Sequence, residues 1–172
     1  RQKNHNIVSF WRTCGHALNT MISGGVGSIG GGICDYDSEG IILPNGLRIR
    51  YPELQRTSDG FEYISNARTY RKLITTGRLD DKEWTRIYGG KVTENVVQAL
   101  ARIVVSEQMV EIGKHYQVLF QVHDEIIVCV MQERESDIQQ HVETIMSTSP
   151  IWAQDLPVAC ESGVGFNYGE AK

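Results

Sequence analysis

Residues 116–131 constrain the fold most, because two strongly apolar, β-rich runs are interrupted there only by His123-Asp124-Glu125. Adjacent carboxylates inside such a segment are costly to bury unless something compensates their charge. A β-hairpin that carries these three residues at its tip avoids the cost and holds their side chains on a rigid support. We therefore predict an antiparallel hairpin over residues 117–131, with Asp124 at its tip.

Helical spacing of apolar residues predicts three helices, over residues 4–22, 93–112 and 136–147. Ser23-Gly24-Gly25 is expected to end the first helix. For the second helix, Thr93 is the predicted N-cap and Gly113 the predicted end. The apolar side of this second helix is expected to pack against the hairpin, and it comprises Val96, Val97, Leu100, Ile103 and Val104.

The opposite side of the helix over 93–112 is predicted to be polar. At 100° per residue, Asn95, Gln98 and Arg102 fall together there, with Lys91 just upstream on the same line. This stripe combines amides and cations without an acid. A solvated helix face and a nucleic-acid contact both fit such a stripe.

Further β-structure is predicted between the first two helices. Two β-rich runs flank Pro44-Asn45-Gly46 and indicate a hairpin over residues 40–51. Residues 61–65 and 84–88 are expected to add strands to the same small sheet, with the charged residues 69–83 as an exposed excursion. The six glycines within residues 24–32 predict a flexible connector, because no G-K-[ST] ending marks a phosphate-binding loop.

A last short strand is expected over residues 156–161, and turns are expected after it. Neither internal repeats nor a long linker divide the 172 residues. The elements together predict an α+β fold, in which helices pack on an antiparallel sheet and a small β-hairpin insertion occupies about residues 40–90. We expect a single partial domain.

The composition, 41% hydrophobic and 22% charged, is that of an ordinary soluble globular protein. No apolar run approaches the ~20 residues of a membrane span, and no signal segment precedes the first helix, so a cytoplasmic protein without a membrane partner is expected. The four cysteines form no C-x-x-C pair. A disulfide framework and a zinc site are therefore disfavoured.

Charge is distributed unevenly along the chain, whose net charge is −4. Residues 66–91 carry seven basic and three acidic side chains, whereas residues 92–172 carry four basic and twelve acidic ones. An acidic chain is not typical of nucleic-acid binders. A basic region beside a carboxylate-rich one is nevertheless compatible with a nucleic-acid binder that also holds metal ions, and ordinary solvated surface is the simpler alternative.

The paired carboxylates at the predicted hairpin tip suggest a divalent cation. Mg²⁺ prefers carboxylate oxygens and retains waters, which leaves positions for phosphate oxygens. The tripeptide alone leaves two interpretations equally open, a metal site and a polar turn with exposed acids.

Four segments in order resemble the family-A, DNA polymerase I-type, DNA polymerases of a phage-like branch. Residues 121–126 (QVHDEI) are similar to motif C of the palm subdomain, and residues 87–102 (IYGGKVTENVVQALAR) to the palm helix. Residues 42–52 (ILPNGLRIRYP) and 156–161 (LPVACE) also look like this branch. The resemblance extends from about residue 6 to the end and implies a palm-like fold.

The resemblance implies template-directed nucleotidyl transfer in DNA replication, with two Mg²⁺ ions as cofactors and with primer–template DNA and deoxynucleoside triphosphates as partners. Asp124 matches the motif C metal ligand, Glu125 the adjacent acid, and His123 the residue beside the primer terminus. Asn95 and Gln98 match the helix that faces the DNA minor groove, and Lys91 and Arg102 extend that DNA-binding stripe. For a phage-like protein, the implied location is the cytoplasm of the bacterial host.

Motif A, which supplies the first catalytic aspartate of this family, and the fingers helix do not occur in the sequence. We therefore expect a C-terminal palm portion that is inactive without an upstream polymerase part. A non-catalytic nucleic-acid-binding or assembly module with a palm fold is the main alternative. A weaker one is an unrelated metal-dependent phosphohydrolase that uses His123, Asp124 and Glu125.

Overall fold

The computed structural model describes residues 4–77 and 84–171 of the chain. The described residues form a mixed α+β structure in which every strand pairing is antiparallel, and this confirms the predicted fold class at that level. Contacts divide the chain into two compact units, Arg1–Leu100 and Ala101–Lys172.

The first unit begins with helix α1, His5–Ile22, which ends at Ser23 as predicted. Its buried face contacts a four-stranded sheet of order β1-β2-β3-β4. The strands of this sheet are β1 (Gly27–Ile29), β2 (Cys34–Asp37), β3 (Gly40–Ile42) and β4 (Arg48–Arg50). The hairpin predicted over residues 40–51 is confirmed by the pairing of β3 with β4.

Residues 24–32 are not a simple connector, because they contain strand β1. Gly27 pairs with Tyr36 of β2, and the Tyr36 ring lies directly over it. A Cβ at Gly27 would come within 2.4 Å of the Tyr36 hydroxyl. The glycine at this position therefore allows a tyrosine side chain to pack against the backbone, whereas the sequence suggested only flexibility.

The strands predicted over 61–65 and 84–88 exist, but they belong to a separate three-stranded sheet. Its strands are β5 (Gln55–Thr57), β6 (Gly60–Tyr63) and β7 (Thr85–Ile87), in the order β5-β6-β7. A turn after β4 explains the separation. Leu54 donates its backbone N–H to the Tyr51 carbonyl, and Glu53 has a left-handed φ of 55°, so the chain leaves the first sheet there.

The predicted charged excursion begins as helix α2, Ala67–Thr76. Asn66 caps its first turn by accepting a hydrogen bond from the Arg68 N–H at 2.8 Å, and Gly77 ends it in the left-handed conformation. None of its residues is buried, as expected of an excursion. Residues 78–83 of the predicted excursion lie outside the described residues.

Helix α3 runs over Gly89–Gly113, so it ends as predicted but starts four residues before the predicted N-cap. Thr93 lies within the helix and donates its hydroxyl to the Gly89 carbonyl at 2.9 Å. The predicted apolar side is partly wrong, because Val97 is 55% exposed while Val92 and Val96 are buried. The early start depends on Gly89, where only a glycine fits against the α1 backbone.

The second unit contains the end of α3, a two-stranded hairpin and helix α4, Glu135–Met146. The hairpin strands are β8 (Gln117–Val122) and β9 (Glu125–Cys129), which confirms the predicted hairpin. Its apolar side packs on Ile112 of α3 and on Ile138 and Val142 of α4. The hairpin therefore packs on the predicted helix, through its last turn, and also on α4, which the sequence did not suggest as a support.

The strand predicted over residues 156–161 is wrong. The segment pairs with no strand among the described residues. Pro157 has no backbone N–H to contribute to a ladder, which weakens the β-signal of its neighbours.

Candidate functional site

The hairpin between β8 and β9 turns in two residues. Val122 and Glu125 form the last strand pair, so His123 and Asp124 alone make the turn. His123 has a φ of 52°, a left-handed conformation that two-residue hairpins require and that non-glycine residues adopt at a cost. The sequence therefore places Asp124 at the tip, as predicted.

Gln121 supports this turn from within the hairpin. Its side-chain amide donates to the His123 carbonyl at 2.7 Å. Its Oε1 atom is buried and has no hydrogen-bond partner among the described residues. Because the side chain of Gln121 in β8 binds the His123 carbonyl, a side-chain hydrogen bond stabilises the turn in addition to the backbone pairing of the strands.

The three residues of the predicted motif are all exposed. Glu125, the first residue of β9, accepts a hydrogen bond of 2.5 Å from the Tyr168 hydroxyl. The Tyr168 ring also makes an edge-on contact with Phe120 of β8, with ring centroids 5.7 Å apart. Tyr168 thus connects the C-terminal segment to the hairpin and orients one of the two carboxylates.

Sequence reasoning missed Tyr168, because 43 residues separate it from Glu125. The segment that carries it is a compact turn. The side-chain oxygen of Asn167 accepts from the backbone N–H groups of Gly169 and Glu170, and Glu170 accepts from the Phe166 N–H. Asn-Tyr-Gly is typical of a turn, but no local feature of the sequence indicates which residue the tyrosine contacts.

The oxygen donors at the hairpin tip suit Mg²⁺, but they fill only part of its coordination sphere. Asp124 and Glu125 supply carboxylate oxygens at an exposed position, and Mg²⁺ in nucleotide-handling sites is held by one or two carboxylates together with water and phosphate oxygens. Within residues 4–77 and 84–171, no three histidine, cysteine or acidic side chains are grouped so that they could hold a metal ion. Asp124 and Glu125 alone therefore represent a partial coordination sphere.

The predicted polar stripe on α3 is not free of acids. Glu94 accepts from Lys91 at 2.9 Å and from the Gln98 amide at 3.4 Å. The hydrogen bond with Glu94 raises the pKa of Lys91 above its usual value. Glu94 lies three residues after Lys91 and four before Gln98, positions that are neighbours on a helix surface, so the prediction of a stripe without an acid is wrong.

Asn95 is held differently from its neighbours on the stripe. Its amide nitrogen donates to the Tyr51 hydroxyl at 3.2 Å. Tyr51 is only 4% exposed, and burial raises the pKa of its hydroxyl to about 12. The Asn95 side chain is therefore oriented by a buried partner.

The predicted site residues fall into both units. Lys91, Asn95 and Gln98 lie in the first, and the second contains Arg102 together with the hairpin-tip residues His123, Asp124 and Glu125. Within the second unit, the structure places His123 and Asp124 on one turn and Glu125 directly after them, at the start of β9. Arg102 is exposed on α3.

Comparison with known proteins gives one informative similarity. The chain is 29% identical over 171 residues to a protein named DNA polymerase from Bacillus phage SP02. The match covers 95% of this chain and 25% of the phage protein, so the chain spans about a quarter of that relative's length. No protein-family model matches the chain, and no solved structure matches it. In the described parts of the chain, no helix is both long and apolar enough to cross a lipid bilayer.

Proposed function

We propose that this chain is the C-terminal palm part of a DNA-directed DNA polymerase of the family-A type, which transfers nucleotides under template direction during DNA replication. One combined observation carries the proposal. A chain that is similar over 95% of its length to a phage protein named DNA polymerase presents His-Asp-Glu on an exposed hairpin tip. The assignment of both compact units to one partial palm domain stays a prediction.

Asp124 and Glu125 are the proposed ligands of the metal site. Two Mg²⁺ ions, when bound, supply positive charge for the attacking 3′-oxygen and for the leaving pyrophosphate. Asp124 contributes its negative charge from a turn that Gln121 holds in place. The Tyr168 hydroxyl fixes one Glu125 oxygen, so Glu125 keeps a defined orientation beside Asp124. The rigid hairpin thereby supplies positioning, which is the main contribution of protein to phosphoryl-transfer chemistry.

Primer–template DNA and deoxynucleoside triphosphates are the proposed partners. His123, which the left-handed turn presents beside Asp124, is the proposed contact to the primer terminus. On α3, Asn95, Gln98, Lys91 and Arg102 are the proposed contacts to the primer–template. Amide groups suit the minor groove, where acceptor atoms are present at every base pair, and the cations suit phosphates.

We further propose that activity requires an upstream polymerase part that supplies the motif A aspartate and the fingers helix. The length of the phage relative supports this, since the chain aligns with only 25% of it. The isolated chain is expected to show no primer extension with Mg²⁺. Addition of the upstream part is expected to restore it.

The decisive experiment compares Asp124→Asn with Asp155→Asn in the reconstituted enzyme. Both substitutions remove one carboxylate from an exposed position of the second unit without a change of side-chain size, and Asp155 is remote in sequence from the hairpin tip. We expect Asp124→Asn to reduce the single-turnover rate by about 100-fold or more, since a metal ligand is lost. We expect Asp155→Asn to retain the wild-type rate, and both variants to keep the wild-type melting temperature.

Near-normal turnover of Asp124→Asn at saturating DNA and Mg²⁺ would refute the motif C assignment. If the reconstituted protein binds primer–template but never extends it, the chain is a nucleic-acid-binding module with a palm-like fold. Hydrolysis of simple phosphoesters by the chain alone would instead support a phosphohydrolase.

A further inference from the structure

Helix α2 is a strongly basic element that the proposed active site does not use. It joins β6 to the segment before β7, and none of its ten residues is buried. Three cations, Arg68, Arg71 and Lys72, lie within five positions, and no acidic residue occurs in the helix. A helix that fully buries no side chain and concentrates one sign of charge is suited to bind a partner on its charged face.

The cations of α2 share one face. At 100° per residue, Arg68, Arg71, Lys72 and Thr75 fall within a sector of about 100°, and the apolar residues Tyr70, Leu73 and Ile74 fall on the other side. All three basic side chains are exposed. Within residues 4–77 and 84–171, neither Arg68 nor Arg71 forms an ion pair. These two guanidinium groups are therefore available to an external anion.

The helix is held in shape at both ends. The Asn66 side chain caps the N-terminal turn, and Gly77 in the left-handed conformation ends the helix by donating its N–H to the Leu73 carbonyl. Such caps stabilise a short helix that lacks the support of a buried face. The two arginines are thus presented one turn apart on a preformed surface.

We propose that the basic face of α2, defined by Arg68, Arg71 and Lys72, binds the phosphodiester backbone of double-stranded DNA. This inference rests on the proposed polymerase function, which makes DNA the partner, and assigns a second contact surface that is remote in sequence from the hairpin tip. Guanidinium groups bind phosphate through paired N–H donors, and the contact carries no base sequence information. This surface would therefore raise affinity for any duplex, independently of metal ions.

An anionic lipid surface is the other partner that a basic amphipathic helix can fit. The apolar side of α2 argues against it. Of its three large apolar side chains, Ile74 is 70% exposed, whereas Tyr70 and Leu73 are partly buried in the protein. A helix that lies in a membrane interface needs a wide apolar face for insertion, and Ile74 is the one large apolar side chain of α2 that is mostly exposed.

The test measures binding of the 172-residue chain to a fluorescein-labelled DNA duplex by anisotropy, without divalent cations, in a salt titration. The test variant is Arg68→Gln/Arg71→Gln. The matched control is Arg50→Gln/Arg134→Gln, which removes the same charge from two other exposed positions. Glutamine preserves helix propensity, so α2 is expected to stay folded, and circular dichroism checks this.

A plot of log affinity against log salt concentration has a negative slope, and each lost phosphate contact makes this slope less steep by about 0.9. At 0.1 M salt, the loss of one contact corresponds to an affinity that is about eightfold lower. For the test variant, which lacks two contacts, we therefore expect a slope that is less steep by about 1.8 and an affinity that is up to about 60-fold lower. The control is expected to change affinity by less than about twofold, because it removes no phosphate contact. Vesicles of anionic phospholipid are expected to bind neither wild type nor variant.

Equal effects of the test and control variants would overturn the proposal, as would a wild-type chain that fails to bind duplex DNA. Vesicle binding that depends on Arg68 and Arg71 would assign the surface to lipid instead. The outcome is separable from that of the active-site test. A wild-type-like salt slope in the α2 variant refutes only this inference, whereas near-normal turnover of Asp124→Asn refutes only the metal-site assignment.

Discussion

Replacement of Gly89 by alanine is predicted to destabilise the first unit strongly. A Cβ at Gly89 would lie 1.9 Å from the Trp11 carbonyl oxygen and 2.9 Å from the Gly15 nitrogen, all on the backbone of α1. Backbone atoms cannot rotate away from such a contact. An ordinary contact needs 3.4 Å or more, so α3 and α1 must separate locally by about 1.5 Å.

The magnitude follows from two opposing contributions. Overpacking of this kind costs about 1–3 kcal/mol and occasionally more, and here the clash is at the severe end. The alanine gains less than the ~1 kcal/mol of helix propensity available in a helix interior, because Gly89 is the first residue of α3. We expect a net loss of about 3 kcal/mol in the free energy of unfolding, or a decrease of about 6–12 °C in melting temperature.

Gly15→Ala is the matched control, because Gly15 lies in the interior of α1 and, apart from its own helix backbone and chain neighbours, no atom of the described residues lies within 4 Å of its Cβ position. This variant is expected to be more stable than wild type by about 1 kcal/mol, from helix propensity alone. Urea unfolding followed by circular dichroism and tryptophan fluorescence measures both variants. A Gly89→Ala protein within about 0.5 kcal/mol of wild type would refute the close approach of α3 to α1.

Two further predictions concern buried ionisable groups of the first unit. Burial raises the pKa of the Cys34 thiol to about 11, so at pH 8 a thiol reagent should label the exposed Cys129 first and reach Cys34 only after addition of denaturant; fast native-state labelling of Cys34 would contradict its burial. Because the folded state raises the pKa of Cys34 from 9.0 to about 11 and that of Tyr51 from 10.0 to about 12, it holds these protons more tightly than the unfolded state. The free energy of unfolding should therefore be retained below pH 9 and fall as pH rises through 11 and 12, and a urea midpoint independent of pH over this range would contradict it.

Local pattern was sufficient for the hairpin that carries the candidate site. Two apolar runs with a single polar interruption define both strands and the turn, and the paired residues of the two strands are close in sequence. The position of Asp124 at the tip follows directly. The same holds for the ends of α1 and α3, where glycines follow the last apolar residue of each pattern.

Features that depend on distant residues could not be predicted in this way. Gly27 and Gly89 look like chain breakers, yet each allows a close approach by a residue elsewhere in the chain, the Tyr36 ring in one case and the α1 backbone in the other. For the same reason, the sequence does not indicate that Tyr168 orients Glu125. In each case the residue type is informative only once its neighbour in space is known.

The side chains of the candidate site differ in the hydrogen bonds and ion pairs that hold them, and this difference affects how each could contact a ligand. The Asp124 carboxylate lies on an exposed turn, so a change of its charge has little effect on the core. Asn95 donates one of its two amide hydrogens to the buried Tyr51 hydroxyl, so its second hydrogen and its oxygen are the groups that the proposed DNA contact would use. Lys91 is paired with Glu94, so a phosphate must compete with that carboxylate. Under the proposed function, DNA binding through α3 would therefore exchange this internal ion pair for an external one, whereas the arginines of α2 form no such pair within the described residues.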